Sequence, residues 1–158
     1  MSSLTYQSQI HIDSLEALSR FAERLASLLR PGDVVALDGN LGAGKTTLTQ
    51  KLGHALGVTE PVASPTFVLM NEYHSGCCPI VHVDLYRLGE ERAGSLADEL
   101  FAVIDEGRAL ILVEWACYGP FLEPALTFSI QIEYGVDESR LIRVAANRPL
   151  DSLMEGSP

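Results

Sequence analysis

The chain has 158 residues, of which 47% are hydrophobic, and its net charge is −10. This size and composition predict one globular domain over residues 1–158 with a hydrophobic core. Lys and Arg together number 11 against 21 Asp and Glu, so direct nucleic-acid binding through a basic face is not expected. No apolar run has the length of a membrane span and residues 1–9 do not resemble a signal peptide, so we expect a cytoplasmic location without membrane contact. Cys77, Cys78 and Cys117 make no zinc pattern and are expected to be reduced thiols.

The first predicted elements are a short edge strand over residues 7–12 and an amphipathic helix. Asp13 and Glu16 have the spacing of a capping box, with Asp13 as the N-cap, and predict where the helix begins. Pro31 and Gly32 end it. The apolar residues at helical spacing, expected on its buried face, are Leu15, Leu18, Ala22, Leu25 and Leu29.

The most informative stretch is Gly39-Asn-Leu-Gly-Ala-Gly-Lys-Thr-Thr47, called the P-loop below. It satisfies G-x-x-x-x-G-K-[ST], in which glycines let the backbone approach an anion and a helix N-terminus adds its favourable dipole. Residues 34–38 predict a buried strand before it and residues 46–56 a helix after it. Lys45 would reach the outer phosphates of a nucleotide, and the Thr46 hydroxyl would bind Mg²⁺. The candidate nucleotide-binding residues here are Gly39, Gly42, Ala43, Gly44, Lys45, Thr46 and Thr47.

Residues 58–67 follow the P-loop helix and contain Ser64-Pro-Thr66 without clear periodicity. Nucleotide switches keep their first mobile segment at this place in the chain. A plain connecting loop is an equally good interpretation from position alone.

Two strands are predicted next, over residues 67–73 and 79–85. Asp84 lies at the end of the second strand, where α/β sheets place functional groups; the alternative is an ordinary surface carboxylate. A helix over residues 90–104 follows, and Gly89 and Gly94 weaken its start.

The unbroken apolar run at residues 109–113 predicts a central strand buried on both faces. It ends at Glu114, and an acidic residue closing a buried strand downstream of a P-loop is the Walker B arrangement, which holds Mg²⁺ directly or through water. Two acids, Asp84 and Glu114, therefore compete for the metal role. The fully apolar strand favours Glu114 and leaves Asp84 to order the attacking water or a switch.

Strict alternation over residues 126–134 predicts a half-buried strand, with which residues 140–146 can pair as a hairpin. Residues 147–158 are expected to form a flexible tail. Together these elements predict an α/β fold of the P-loop NTPase type, with three layers and a mixed, mostly parallel sheet that ends in an antiparallel C-terminal hairpin.

The motifs together resemble the bacterial TsaE family, small ATPases of tRNA threonylcarbamoyladenosine biosynthesis. The resemblance covers most of the chain, and the motifs occur in the family's order. The P-loop alone is shared by very many proteins, and the second and third motifs are much more selective. The four motifs are Gly39-Asn-Leu-Gly-Ala-Gly-Lys-Thr-Thr47, Ser64-Pro-Thr-Phe67, His82-Val-Asp-Leu-Tyr-Arg-Leu88 and Leu112-Val-Glu-Trp115.

The resemblance implies an ATPase that binds ATP and Mg²⁺ and serves the two-protein threonylcarbamoyl transferase acting on the adenosine beside the tRNA anticodon. Its nucleotide cycle would keep that transferase turning over, so contact with tRNA would be indirect. Lys45, Asp84 and Glu114 would be catalytic, with slow turnover when the protein is alone. Carried over by motif, Thr46 and Glu114 would bind Mg²⁺, Ser64 and Thr66 would lie in the first switch, and Trp115 would lie near the nucleotide.

Three departures from the family pattern concern partner contact more than nucleotide binding. Asn40 stands where the family usually has Asp, and Cys117 stands where it usually has a polar or acidic residue. The sequence Ser95-Leu-Ala-Asp-Glu-Leu100 replaces the family's usual Glu-Leu-Gly pattern.

Three other function classes are alternatives to the accessory ATPase. A small-molecule kinase of this size usually has an arginine-rich lid, and here Arg87, Arg92 and Arg108 are scattered. A GTP-dependent switch commonly uses Asn-Lys-x-Asp, which is absent because neither Lys45 nor Lys51 follows an Asn. A nucleotide-dependent assembly factor without significant turnover stays open, although two well-placed acids argue against it.

Overall fold

A single mixed sheet forms the centre of the fold. The computed structural model describes residues 4–65 and 69–154, and within these ranges seven strands pair in the order β1-β7-β6-β2-β5-β4-β3. The strands are Tyr6–Ile12 (β1), Val34–Gly39 (β2), Met70–Tyr73 (β3), Ile80–Asp84 (β4), Leu110–Glu114 (β5), Phe128–Tyr134 (β6) and Arg140–Ala146 (β7). The first strand is therefore an edge strand, as its sequence predicts.

The four central strands run parallel, and the outer pairings are antiparallel. β2 pairs with β5 and β6 in parallel, and β4 joins the other side of β5 in parallel. β1, β7 and β6 pair antiparallel, as do β3 and β4, whose connection is too short for a parallel crossover. The predicted fold class is confirmed, including the C-terminal hairpin β6–β7.

Helices cover both faces of this sheet and complete the three layers. In the described ranges they are Leu15–Leu28 (α1), Lys45–Ala55 (α2), Gly89–Arg92 (α3), Ala97–Glu106 (α4) and Asp151–Met154 (α5). Short 3₁₀ turns occur at Ala93–Leu96, Ala116–Tyr118 and Pro120–Ala125. None of the helices described is both long and apolar enough to cross a membrane.

Two hydrophobic cores lie on opposite faces of the sheet, because successive strand side chains point to opposite sides. Leu37 of β2 belongs to the core under α1, α2 and α5, together with Leu25 and Leu48. Its neighbour Ala36 belongs to the other core, together with Leu100 of α4. The same apolar burial therefore holds α2, the helix of the P-loop, against the sheet.

The start of α1 differs from the prediction by one residue. Ser14, not Asp13, is the N-cap, and its hydroxyl accepts a hydrogen bond from the Ala17 N–H at 3.1 Å. Leu15 is 67% exposed because, as the first residue of the helix, it lines the outer groove between α1 and α2 instead of facing the sheet. Phe21, which the predicted stripe leaves out, is buried.

The flexible tail predicted from residue 147 is wrong for residues 147–154. α5 packs on α1, with Leu150 and Leu153 buried in the core. Arg148 donates to the Leu28 carbonyl oxygen at 2.9 Å and pairs with the buried carboxylate of Asp33. Two apolar anchors three residues apart and one buried ion pair therefore hold a segment that looks polar in sequence. Residues 155–158 lie outside the described residues.

Other boundaries shift as well. The helix predicted over residues 90–104 is broken into α3, a 3₁₀ turn and α4, which fits the low helix propensity of Gly94. The strand predicted from residue 67 begins at Met70, and Thr66, Phe67 and Val68 lie outside the described residues. The expectation of one domain over residues 1–158 stays a prediction.

Candidate functional site

A cleft of about 400 Å³ lies at the carboxyl ends of β2, β4 and β5. In open α/β sheets this edge is where ligands bind. The P-loop connects β2 to α2 here, while β4 and β5 end beside it in the acids Asp84 and Glu114. The residues that line the cleft include Gly42, Gly44, Lys45, Thr46, Thr47, Ser64, Asp84, Tyr86, Glu114 and Trp115.

The P-loop backbone needs glycine at its first position. Gly39 has φ +155°, and a Cβ there would stand 2.6 Å from the Ile132 carbonyl oxygen of β6. Gly44, with φ +114°, is the N-cap of α2 and offers no side-chain acceptor to the helix. The first N–H groups of α2 therefore stay available to an anion in the cleft.

A brace from the C-terminal hairpin supports the P-loop from behind. The Tyr134 hydroxyl donates to the Leu41 carbonyl oxygen at 3.1 Å, and Arg140 Nε donates to the Ala43 carbonyl oxygen at 3.0 Å. The Arg140 guanidinium also lies over the Tyr134 ring, 4.4 Å from its centroid. The loop shape thus depends on residues almost a hundred positions away in sequence, which the motif alone does not reveal.

Lys45 lies at the base of the cleft and is only 5% exposed. Its Nζ donates to the carbonyl oxygens of Gly39 at 2.7 Å and Asn40 at 3.0 Å. The same atom lies 4.2 Å from the centroid of the Trp115 ring, a cation–π distance. Burial lowers the pKa of the Lys45 ammonium, and the nearby carboxylates, Glu114 foremost, oppose that shift.

Glu114 closes β5 and is held at both carboxylate oxygens. The Thr46 hydroxyl donates to Oε1 at 2.9 Å, and His82 Nε2 lies 2.7 Å from Oε2. Glu114 is 1% exposed and His82 is 0% exposed. The structure therefore joins Thr46 and Glu114, the two predicted metal ligands, and adds a buried histidine behind them.

Asp84 lies directly opposite Glu114 in the β4–β5 pairing. Its Oδ2 accepts a hydrogen bond from the Ser64 hydroxyl at 2.8 Å, and its Oδ1 accepts one from the Tyr86 N–H at 2.9 Å. Asp84 is therefore part of the cleft and not an isolated surface carboxylate. The contact also brings Ser64 into the cleft, whereas Thr66 lies outside the described residues.

Trp115 follows Glu114 in a left-handed backbone conformation, with φ +57°. Such a conformation is strained for a large side chain and tends to occur at functional sites. Its N–H donates to the Leu37 carbonyl oxygen at 2.9 Å, and its ring packs between Tyr86 and Tyr118. The turn directs the indole into the cleft, where it contacts Lys45.

Cys117, one of the departures from the family pattern, is tied to the end of β2. Its N–H donates to Asp38 Oδ1 at 2.9 Å. Burial raises the pKa of the Cys117 thiol to about 11, and Asp38 adds to the shift. The thiol is therefore protonated at neutral pH, which makes it a poor nucleophile and a poor metal ligand.

Sequence reasoning missed the roles of His82 and Tyr86, although both belong to a quoted motif. The available signal was the strand period: His82 and Asp84 are two residues apart in β4 and therefore point to the same face. That face is also the face of Glu114, which neighbours them on β5. The strand period alone could therefore have placed His82 on the face of Asp84, but its pairing with Glu114 depends on the strand order.

The donor set at the cleft suits Mg²⁺. It consists of a hydroxyl and carboxylate oxygens, the hard ligands that Mg²⁺ prefers. Among the described residues, no group of three or more His, Cys, Asp or Glu side chains could hold a metal ion by itself. This fits a site that shares Mg²⁺ with phosphate oxygens, since protein-bound Mg²⁺ usually has only one or two carboxylate ligands.

The fold and this cleft define an α/β protein of the P-loop NTPase class. A family model described as threonylcarbamoyl adenosine biosynthesis protein TsaE matches residues 12–142. The chain belongs to the TsaE family, as its motifs predict.

Individual relatives agree with this assignment. A Nostoc sp. protein named tRNA threonylcarbamoyladenosine biosynthesis protein TsaE is 42% identical over 117 residues, which cover 73% of this chain and 72% of that protein. A Bacillus subtilis protein of the same name is 38% identical over 131 residues, covering 83% and 80% of the two chains. The crystal structure of YdiB from Bacillus subtilis superposes with a TM-score of 0.73 at 34% identity, covering 90% of this chain and 86% of that one.

Proposed function

We propose that this protein is a Mg²⁺-dependent ATPase that assists the complex installing threonylcarbamoyl on the adenosine beside the tRNA anticodon. The names of its relatives support the pathway. The observation that carries the ATPase proposal is the contact between Thr46 and Glu114 at 2.9 Å, next to Lys45 and Asp84 in one cleft. A P-loop hydroxyl and a strand-end acid are the two protein groups that hold Mg²⁺ in P-loop NTPases.

Phosphate binding would use the N–H groups of the P-loop and the side chain of Lys45. In the structure described, Lys45 Nζ lies at the base of the cleft and donates to two loop carbonyl oxygens. An incoming β/γ-phosphate would compete for this ammonium, because a charge-assisted bond to phosphate is stronger than a bond to a neutral carbonyl. The lysine would then neutralise charge on the transferred phosphoryl group.

Thr46 and Glu114 would hold Mg²⁺, which when bound neutralises negative charge on the phosphate oxygens. Asp84 would orient the attacking water, since it neighbours Glu114 across the sheet. Both Asp84 oxygens already accept hydrogen bonds, from Ser64 and from the Tyr86 N–H. Each of these oxygens keeps a second lone pair that can accept from water, so the two bonds orient the carboxylate without blocking it. Turnover would depend on how the chain around Ser64 is ordered, and without partners it would be slow.

The partners in this proposal are the protein subunits of the threonylcarbamoyl transferase. The net charge of −10 favours protein partners over direct contact with tRNA. The proposal includes a cytoplasmic location, because bacterial tRNA is modified in the cytoplasm. The kinase alternative has less support, since among the described residues lining the cleft Lys45 is the one cation.

An assembly factor with little turnover is the second candidate, and the position of the Lys45 ammonium, bonded to two loop carbonyl oxygens, favours it. The test is a comparison of the wild-type protein with Glu114→Gln for ATP hydrolysis, with Mg²⁺ and with EDTA, each with and without the two transferase subunits. The ATPase proposal expects Mg²⁺-dependent hydrolysis that the variant loses. No hydrolysis by the wild type with partners present would favour the assembly factor.

Binding can be followed separately, because Trp115 is the sole tryptophan of the chain. Its ring touches Lys45, so Mg²⁺ and ATP together should change its fluorescence, with a far smaller change for GTP. A signal that ignores ATP would remove Trp115 from the nucleotide site.

A further inference from the structure

His82 lies in the middle layer of the molecule behind the cleft, and nothing in the proposed chemistry so far uses it. Its ring is 0% exposed. It lies in β4, where its neighbours Ile80, Val81 and Val83 are apolar and buried. Its Nε2 lies 2.7 Å from Glu114 Oε2. The other Glu114 oxygen accepts the Thr46 hydroxyl, so the imidazole and the P-loop hydroxyl hold the carboxylate from two sides.

The two ring nitrogens of His82 have different surroundings, which determine which of them carries the proton. Nδ1 is buried and has no hydrogen-bond partner among residues 4–65 and 69–154. A carboxylate oxygen only accepts hydrogen bonds, so Nε2 must carry the proton in this contact. In the neutral ring Nδ1 is then a bare acceptor, and its burial without a partner costs free energy.

A purely space-filling role does not explain this arrangement. An aliphatic side chain would fill the same position in an apolar strand without a buried, unpartnered nitrogen. What the imidazole supplies instead is one directed N–H at the end of a rigid ring, reaching from β4 to the acid on β5. Groups that bond the ligands of a metal in this way fix their orientation, and their loss typically lowers metal affinity by about 10- to 100-fold.

We propose that His82 is a positioning residue for the metal site: its Nε2–H fixes Glu114 Oε2, so that Oε1 is presented toward the Thr46 hydroxyl and Mg²⁺. The inference rests on the proposed function, because it needs Glu114 to be a metal ligand. His82 itself need not contact metal, nucleotide or water. Its side chain is completely buried and cannot reach them. Without this bond, the Glu114 side chain can rotate away from Thr46.

A matched pair of amides tests the proposal. His82→Gln keeps an N–H donor near the place of Nε2, whereas His82→Asn is one methylene shorter and cannot reach Glu114. The probe is Mn²⁺, whose binding to each ADP-loaded protein is measured by electron paramagnetic resonance, with ADP affinity in EDTA and the melting temperature as parallel measurements. No turnover assay enters the comparison.

We expect His82→Asn to bind Mn²⁺ about tenfold more weakly than the wild type, with ADP affinity in EDTA unchanged within twofold. His82→Gln should recover most of the loss. Equal Mn²⁺ affinity in the wild type and both variants would overturn the proposal. Equal losses in the two variants would also overturn it, because they would indicate a packing defect and not the loss of a directed N–H donor.

Glu114→Gln separates this inference from the proposed function. If the ADP-loaded wild type binds Mn²⁺ no better than Glu114→Gln, Glu114 is not a ligand and the proposed site itself fails. If Glu114→Gln weakens Mn²⁺ binding while His82→Asn does not, the site stands and only the role of His82 is refuted.

Discussion

The P-loop and the Ser64 segment, residues 58–65, meet at the candidate nucleotide cleft, which Ser64 lines, but they are held by different kinds of contact. The first P-loop glycine, Gly39, packs against the backbone of Ile132, and Tyr134 and Arg140 donate hydrogen bonds to carbonyl oxygens of the loop. In the Ser64 segment Val58 and Val62 pack into the core, and the rest is tied by single polar bonds. Examples are the Asn71 amide to the Ala63 carbonyl oxygen at 3.2 Å and the Gln50 amide to the Val62 carbonyl oxygen at 3.0 Å.

Because of this difference, we expect nucleotide binding and hydrolysis to depend on different parts of the site. Contacts made by exposed polar side chains open locally at low free-energy cost, whereas a loop packed against buried backbone does not. The P-loop half of the candidate site is therefore preformed, and the Ser64 segment that bonds Asp84 can rearrange. Under the proposed function, we therefore expect the protein to bind nucleotide alone and to hydrolyse it efficiently only when a partner orders the Ser64 segment.

The largest expected effect concerns the P-loop side. Lys45→Ala should reduce ATP hydrolysis at least about 100-fold, because it removes the cation that compensates phosphoryl charge. The chain offers a matched control, since its only other lysine, Lys51, lies on the same helix and bonds Ser19 outside the cleft. Lys51→Ala should hydrolyse ATP like the wild type in the same steady-state assay. Equal losses in both variants would place the effect in α2 and not in the site.

A rigid P-loop should also not tolerate a methyl group at its first glycine. Gly39→Ala places a Cβ against the Ile132 carbonyl oxygen and should lower the free energy of unfolding by roughly 1–3 kcal/mol, measured by urea denaturation. Gly94→Ala, where nothing lies within 4 Å, serves as the control and should change stability by less than about 1 kcal/mol. If Gly39→Ala is as stable as the wild type, the loop is less constrained than its contacts indicate.

A substitution in the Ser64 segment should raise ATP hydrolysis, whereas the Lys45 substitution in the P-loop should lower it. Ser64→Ala removes the hydroxyl that occupies Asp84 Oδ2, so hydrolysis without partners should rise a few fold while ATP affinity stays unchanged. The exposed Ser27 on α1 gives the control substitution Ser27→Ala, which should have no effect. A fall in turnover for Ser64→Ala would mean that this hydroxyl assists the reaction instead of restraining Asp84.

The smallest effect tests the tip of the hairpin that carries the brace. Glu138 has φ +62°, a conformation that glycine adopts more easily, so Glu138→Gly should stabilise the protein by about 0.5–1 kcal/mol. The same substitution at Glu99, exposed in α4, should destabilise it by a similar amount because glycine lowers helix propensity. Thermal unfolding of the two variants side by side checks the sign of each change.

The P-loop, the strand-end acids and most elements were predictable because their signals are local: glycine spacing, apolar runs and strict alternation. The bond between His82 and Glu114 was not, since it joins residues 32 apart through strand order. The docked residues 147–154 were missed because Leu150 and Leu153 are isolated apolar residues whose partners lie on α1. Asp13 and Ser14 are both good caps, and a one-residue choice between them is beyond pattern reasoning.

The separation of binding from chemistry can be tested by one kinetic measurement. ATP hydrolysis is measured over a range of ATP concentrations with and without the two transferase subunits, giving kcat and KM for each. While chemistry is slow, KM reports nucleotide affinity. We expect the partners to raise kcat at least about tenfold and to change KM by less than threefold. A partner effect confined to KM, or a kcat that partners do not change, would contradict a preformed P-loop facing a segment that partners must order.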